Sequence, residues 1–267
     1  MSYYDTMRRV QEHYRDAVKL LSGEENRIVG CFLYGSQNYD LDTETSDVDT
    51  VVLTIPSFHM IVYNKPDIKT YTRENGEKIV FKDFRKFMAD LRNGRPESME
   101  LLFTKYYVLG PKLYNTWYKL IHQKEDIVKN HINDLLYTLR HITENNMHNY
   151  VYRVTPSTGK MFETHGYNYK AGTYVIRIHD LIMQYCVLGK SYKDSLICSD
   201  PHAMDMKMGK IDKETAGPML TEYWKRIEEL TFKYSPKEFI YNNETALFMH
   251  DVQEEMISHI FPRVKEH

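Results

Sequence analysis

Apolar runs of strand length fall before about residue 112 of this chain, and helical periodicity takes over after it. That order limits the fold more than any other feature. Ile28-Val29-Gly30-Cys31-Phe32-Leu33-Tyr34 is a continuous apolar run suited to a buried strand, and it stops abruptly at Gly35-Ser36. A second strand is predicted over 47–55, ended by Pro56. A third is predicted around 78–82, after a polar, turn-rich stretch over 64–76. Residues 5–22 read as a helix, with Asp5 as N-cap and Met7, Val10, Tyr14, Val18 and Leu21 recurring at helical spacing. Another helix, carrying Phe84, Phe87, Met88 and Leu91 on one face, is closed by Asn93-Gly94 and followed by Pro96. Further helices are predicted near 113–122, 126–148, 168–188, 213–233 and 243–260, joined by loops with Pro156, Gly159, Pro201, Gly209 and Pro236. Strands first and helices later predict an α+β fold: a sheet-bearing catalytic domain over 1–125, then a mostly helical domain over 126–267.

The composition narrows the setting. With 42% hydrophobic and 27% charged residues the chain reads as an ordinary globular protein. No apolar run approaches the roughly 18–20 residues of a membrane span. Met1-Ser2-Tyr3-Tyr4-Asp5 lacks the basic-then-apolar layout of a signal peptide, so a cytoplasmic location without membrane association is expected. Cys31, Cys186 and Cys198 are odd in number and form no CxxC pair, which favours small buried thiols over a disulfide framework or a zinc site. A formal charge of −2 argues against binding along a long nucleic acid, while leaving room for a local basic pocket that holds a nucleotide.

The chemistry-bearing stretch is Phe32-Leu33-Tyr34-Gly35-Ser36, ten residues, then Asp47-Val48-Asp49. A strand that exits through Gly-Ser into a helical turn offers backbone N–H groups and a hydroxyl to phosphate oxygens, and glycine lets the backbone approach closely. Asp47 and Asp49 are two residues apart on a predicted strand, so both side chains point to one face. Paired hard carboxylates suit Mg²⁺ ions whose remaining ligands are water and phosphate oxygens, and two such ions can support in-line displacement at phosphorus. Either element alone is common on surfaces. Their fixed order and distance is the specific signal.

This pattern resembles the signature of the DNA polymerase β-like nucleotidyltransferase superfamily. More narrowly, the chain resembles a bacterial and phage family of predicted nucleotidyltransferases. The resemblance rests on three blocks: Tyr34-Gly35-Ser36-Gln37-Asn38-Tyr39 with Thr45-Ser46-Asp47-Val48-Asp49; Phe84-Arg85-Lys86-Phe87 with Arg95-Pro96 and Glu100-Leu101-Leu102; and Gly166-Tyr167-Asn168-Tyr169-Lys170 with Ile176-Arg177. It implies a small mixed β-sheet of five strands or fewer, two Mg²⁺ ions on Asp47 and Asp49, and transfer of a nucleoside monophosphate from a nucleoside triphosphate. Gly35 and Ser36 would bind the phosphates. The acceptor would be a hydroxyl of a small molecule, a protein or an RNA end. The superfamily usually supplies a third carboxylate. Glu77 is the candidate for it here, against Asp83, which also stands where the N-cap of the 84–91 helix belongs. In the third block, Lys170-Ala171-Gly172 replaces a Lys-His-Ala type of run.

Several other residues are read against structural explanations. Lys170, Tyr174 and Arg177 form one helical stripe, either a solvated basic edge or a pair of cations for the polyphosphate. Arg85 and Lys86 sit in the first turn of a helix, where the macrodipole disfavours cations, which predicts a partner for them, either a nearby carboxylate in an ion pair or a phosphate. His131, His141 and His148 lack the spacing of a zinc-binding helix, and Met204, Met206 and Met208 read as a loop. A second function class fits the same fold: a catalytically silent module that binds nucleotide or serves as an antitoxin or other partner.

Overall fold

The computed structural model describes residues 1–22, 25–64, 68–111, 113–152, 154–156, 158–235 and 243–258. They fall into two compact units, Met1–Asn38 with Asp42–His131 and Ile240–His267, and Tyr39–Leu41 with Ile132–Phe239. The fold is α+β, as expected. The first unit runs α1 (Tyr3–Leu20), β1 (Ile28–Tyr34), β2 (Asp49–Thr54), α2 (Phe58–Val62), β3 (Ile68–Thr72), β4 (Lys78–Asp83), α3 (Phe84–Arg92), α4 (Pro96–Leu101), β5 (Tyr107–Leu109), α5 (Tyr114–His122) and α6 (Lys124–Asn130). The second holds α7 (Ile132–Val151), α8 (Gly159–His165), α9 (Tyr169–Ile182), α10 (Tyr192–Ser195), α11 (Pro201–Lys207) and α12 (Lys213–Tyr234). The chain then contributes α13 (Asn243–Ser258) to the first unit.

The five strands form one mixed sheet in the order β3-β4-β2-β1-β5. β1 is antiparallel to β2 and β5, β2 is parallel to β4, and β3 closes the edge antiparallel to β4. Alternation along the strands divides the side chains between two faces. On one face Cys31, Leu33, Val48, Val52, Ile79 and Phe81 pack with Val10 and Ala17 of α1. On the other, the Phe32 ring meets Trp117 of α5 at 4.4 Å between centroids, and Trp117 meets Phe87 of α3 at 5.8 Å. α13 is pinned to this unit by Gln253 with Arg92 at 3.2 Å, and by Glu255 with Thr116 at 2.9 Å and Lys119 at 2.6 Å.

In the second unit α9 packs against α7, α11 and α12. At Gly172 the neighbours come close to α9: a Cβ there would lie 3.0 Å from Met206 Sδ and 3.2 Å from Leu220 Cδ1. A side chain at this point of the third block would need Met206 and Leu220 to give by a few tenths of an ångström.

The structure corrects several local expectations. The stretch over 64–76 contains strand β3, with residues 65–67 outside those described. The helix expected over 126–148 is two helices broken at His131, and the one expected over 168–188 ends in a π-helical turn, Met183–Val187. Met204 and Met206 lie in α11, with Met208 as its C-cap, because the Asp200 carboxylate accepts from His202 N–H and Pro201 opens the first turn. Residues 259–260 of the last expected helix, and Pro236, lie outside the described residues. On α1 the buried residues are Thr6, Val10, His13 and Ala17, one step round from the expected stripe; Met7, Tyr14, Val18 and Leu21 flank them half-buried.

The cations of the 84–91 region have carboxylate partners, the first of the two kinds expected. Arg85 pairs with Asp83 at 2.7 Å, and Lys86 pairs with Asp90 at 2.8 Å. Asp83 is buried and also caps α3, accepting from Arg85 N–H at 2.8 Å. Asp83→Ala is expected to lower stability by about 0.5–2 kcal/mol, toward the upper end because Arg85 loses its partner as well. Chemical denaturation of wild type and variant measures this, and an unchanged midpoint would contradict the cap.

Candidate active site

The site is built by the pairing of two strands. Tyr34, the last residue of β1, stands opposite Asp49, the first residue of β2, so the Gly35-Ser36 exit lies beside the Asp47-Val48-Asp49 entry. Gly35 adopts φ +132°, a conformation that side-chain-bearing residues rarely take, and the chain then makes a single 3₁₀ turn over Ser36–Tyr39. Gln37 ties the turn to the aspartates, its Nε2 donating to the Asp47 carbonyl at 2.8 Å. Asn38 steadies the same turn, donating from Nδ2 to the Leu33 carbonyl at 3.1 Å and accepting from Thr104 Oγ1 at 2.7 Å.

Val48 is wholly buried in the core beneath α1, so Asp49, the next residue and the first of β2, turns to the opposite face of the sheet. Asp47 is exposed and Asp49 half-buried. Asp49 Oδ1 accepts from Lys78 N–H at 2.8 Å across the parallel β2–β4 pair. This donor set, two neighbouring carboxylates with oxygen atoms near the surface, fits a hard cation that keeps water or phosphate oxygens as its other ligands. Among the described residues no group of three or more His, Cys, Asp or Glu side chains is placed to hold a metal ion.

Glu77 lies beside this segment in space, and its carboxylate is engaged by donors on the α1 side and by the Val48 amide. It is 1% exposed and lies on the α1 side of the sheet. Oε1 accepts from Val48 N–H at 3.0 Å and from Arg9, while Oε2 accepts from Asn75 at 2.7 Å, Arg73 at 3.1 Å and His13 at 3.1 Å. Five donors surround its two oxygens. Arg73 extends the cluster to Asp16 at 3.1 Å. Burial depresses the Arg9 guanidinium from its ordinary value, and the Asp47 carboxylate opposes that shift.

His13 joins the cluster to β2. Its Nδ1 lies 2.9 Å from Thr50 Oγ1, and its Nε2 faces Glu77. Burial, then the Arg73 guanidinium, against the pull of Asp16, pushes the imidazole down to about 4. The ring is thus neutral near pH 7. A carboxylate only accepts, so Nε2 carries the proton and Nδ1 accepts from the threonine hydroxyl.

Sequence reasoning missed Arg9, His13 and Arg73. The available signal was the helical spacing of Arg9, Glu12, His13 and Asp16, polar groups recurring on and beside the buried stripe of α1. Lys170 and Arg177 belong to the second unit. Lys170 is exposed; Arg177 is buried, its guanidinium stacked 3.9 Å over the Tyr39 ring and 5.0 Å from the Tyr174 ring. That stacking gives Arg177 a packing role in its own unit.

No protein-family model and no curated protein matches the chain. Among solved structures it is similar to a nucleotidyltransferase-like protein from Exiguobacterium sibiricum 255-15, at 12% identity, over 82% of this chain and 74% of that chain, with a TM-score of 0.33. A likeness at that level carries no weight for function. Among the described residues, no helix is long and apolar enough to cross a membrane.

The buried His13 generates a pH dependence. In the unfolded chain residue 13 takes up a proton near pH 6.5, and in the folded chain only near 4. Between those values the unfolded state binds more protons, so stability rises with pH and is lost as pH falls through the window. Acidification from 6.5 to 4 is expected to remove on the order of 3 kcal/mol through this group. Unfolding free energies of wild type and His13→Gln across the window measure it. The variant's curve is expected to be flatter by that amount, and parallel curves would contradict the assignment.

Proposed function

We propose that the chain is a magnesium-dependent nucleotidyltransferase that moves a nucleoside monophosphate from a nucleoside triphosphate to an acceptor hydroxyl, releasing pyrophosphate. One observation carries this reading: the β1–β2 register brings the Gly35-Ser36 turn and the Asp47-Val48-Asp49 segment side by side. The sequence resemblance points the same way. Asp47 and Asp49 would hold Mg²⁺, which when bound neutralises phosphate charge and supports displacement at phosphorus. Gly35 lets the backbone come close to a polyphosphate, and the Ser36 hydroxyl offers it a donor. Gln37 keeps the turn and the aspartates at a fixed distance by holding the Asp47 carbonyl. The formal charge of −2 favours a small molecule or a protein hydroxyl as acceptor over a long nucleic acid.

A second reading, a catalytically silent nucleotide-binding or partner module, is favoured by the engagement of Glu77 with five donors: among the described residues no third carboxylate joins the pair in a group placed to hold a metal ion. One assay separates the two. Purified protein with Mg²⁺ and each nucleoside triphosphate is expected to release pyrophosphate. The double variant Asp47→Asn, Asp49→Asn is expected to keep its fold and lose several orders of magnitude of turnover. Undiminished turnover in the double variant rules out the proposed site. Nucleotide binding by wild type without pyrophosphate release selects the silent module.

A further inference from the structure

The residues interleaved with the two aspartates are Ser46, Val48 and Thr50, and one network centred on the buried Glu77 holds all three. Glu77 accepts directly from Val48 N–H at 3.0 Å. His13, bonded to Glu77, reaches Thr50 Oγ1 at 2.9 Å. Arg9, also paired with Glu77, donates to the Ser46 carbonyl at 3.4 Å. The residue after Glu77 supplies the backbone N–H that holds Asp49 Oδ1 at 2.8 Å. Two neighbouring carboxylates repel each other, so without a cation their spacing has to be imposed by the backbone that carries them. Here the segment is gripped at alternate residues from the α1 side, at the Ser46 carbonyl, the Val48 amide and the Thr50 hydroxyl.

We propose that Glu77 is the positioning residue of the aspartate pair: its network fixes the backbone over residues 46–50, and with it the separation of the Asp47 and Asp49 carboxylates. This rests on the reading that the pair holds a divalent cation. It replaces a ligand role for Glu77 with one exerted through the Val48 amide. Arg9 and Arg73 balance the buried charge, and Asn75 fixes the carboxylate from the turn before β4. An outer carboxylate of this kind sets affinity without touching the ion.

The test uses the full chain and Mn²⁺ as the probe ion. Mn²⁺ affinity is measured by titration, and exchange of the Val48 amide is measured on the metal-free protein, for wild type, Asp47→Asn and Glu77→Asp. Glu77→Asp keeps a charge facing Arg9 and Arg73 but shortens the reach to Val48. It is expected to speed Val48 exchange by about tenfold or more and to weaken Mn²⁺ by about 10- to 100-fold. Asp47→Asn is expected to weaken Mn²⁺ comparably while leaving Val48 exchange unchanged. Faster Val48 exchange with wild-type Mn²⁺ affinity in Glu77→Asp overturns the positioning role and leaves the aspartate site standing. Weakened Mn²⁺ with unchanged Val48 exchange makes Glu77 a direct ligand and also overturns it. Wild type that binds no Mn²⁺, or Asp47→Asn that binds it equally well, removes the aspartate site and the positioning role together. If Glu77→Asp does not fold, His13→Gln releases Thr50 and leaves Glu77 in place. A loss of about threefold or more in Mn²⁺ affinity is then expected, and wild-type affinity overturns the proposal.

Discussion

Side chains alternate along a strand, so a one-residue slip between β1 and β2 would send Asp49 into the core under α1 and bring Thr50 to the surface. The observed register, with Tyr34 opposite Asp49 and Phe32 opposite Val51, is set by what each face buries. Cys31, Leu33, Val48 and Val52 fill the α1 side, and Phe32 packs on Trp117 on the other. The same pairing therefore builds the core and aligns the Gly-Ser exit with the aspartates. The β2–β4 pairing, parallel from Thr50 and Ile79 onward, then brings Glu77 and Lys78 next to Val48 and Asp49.

A buried carboxylate is costly unless its charge and lone pairs are met. Glu77 meets that condition with two guanidiniums, an imidazole N–H, an amide side chain and a backbone N–H. Replacing such a cluster by apolar groups of similar volume can be neutral or stabilising in general, so stability alone gives little reason to keep it. The proposed positioning role supplies a functional reason: the cluster's contacts with Ser46, Val48 and Thr50 hold the segment that carries Asp47 and Asp49. Uncoupling stability from metal affinity in this cluster is what separates the two explanations.

Much of the fold was legible in the sequence because the main strands are strongly apolar. The 28–34 run and the run ended by Pro56 announce β1 and β2, and Asp83 announces its own cap. β3 was not legible: IKTYT is short, polar and on the sheet edge, so its pairing with β4 comes from the sheet and hardly from its own apolar pattern. The break at His131 and the π-helical turn at 183–187 interrupt patterns that read as single helices. In the candidate site, Gly35, Ser36, Asp47 and Asp49 are singled out by their spacing alone. The partners of Glu77 are not, because Arg9 and His13 lie 68 and 64 residues away in sequence and meet it only when α1 packs on the sheet.

The claim that the β1 exit and the β2 entry form one nucleotide and metal site is tested most directly by a crystal of the full chain soaked with Mg²⁺ and a non-hydrolysable nucleoside triphosphate. The account predicts cation density on the Asp47 and Asp49 carboxylates, with the polyphosphate against the Gly35-Ser36 turn and Glu77 still bonded to Val48 N–H. Nucleotide bound elsewhere on the molecule, with the Asp47–Asp49 carboxylates making no contact to ion or phosphate, would contradict it.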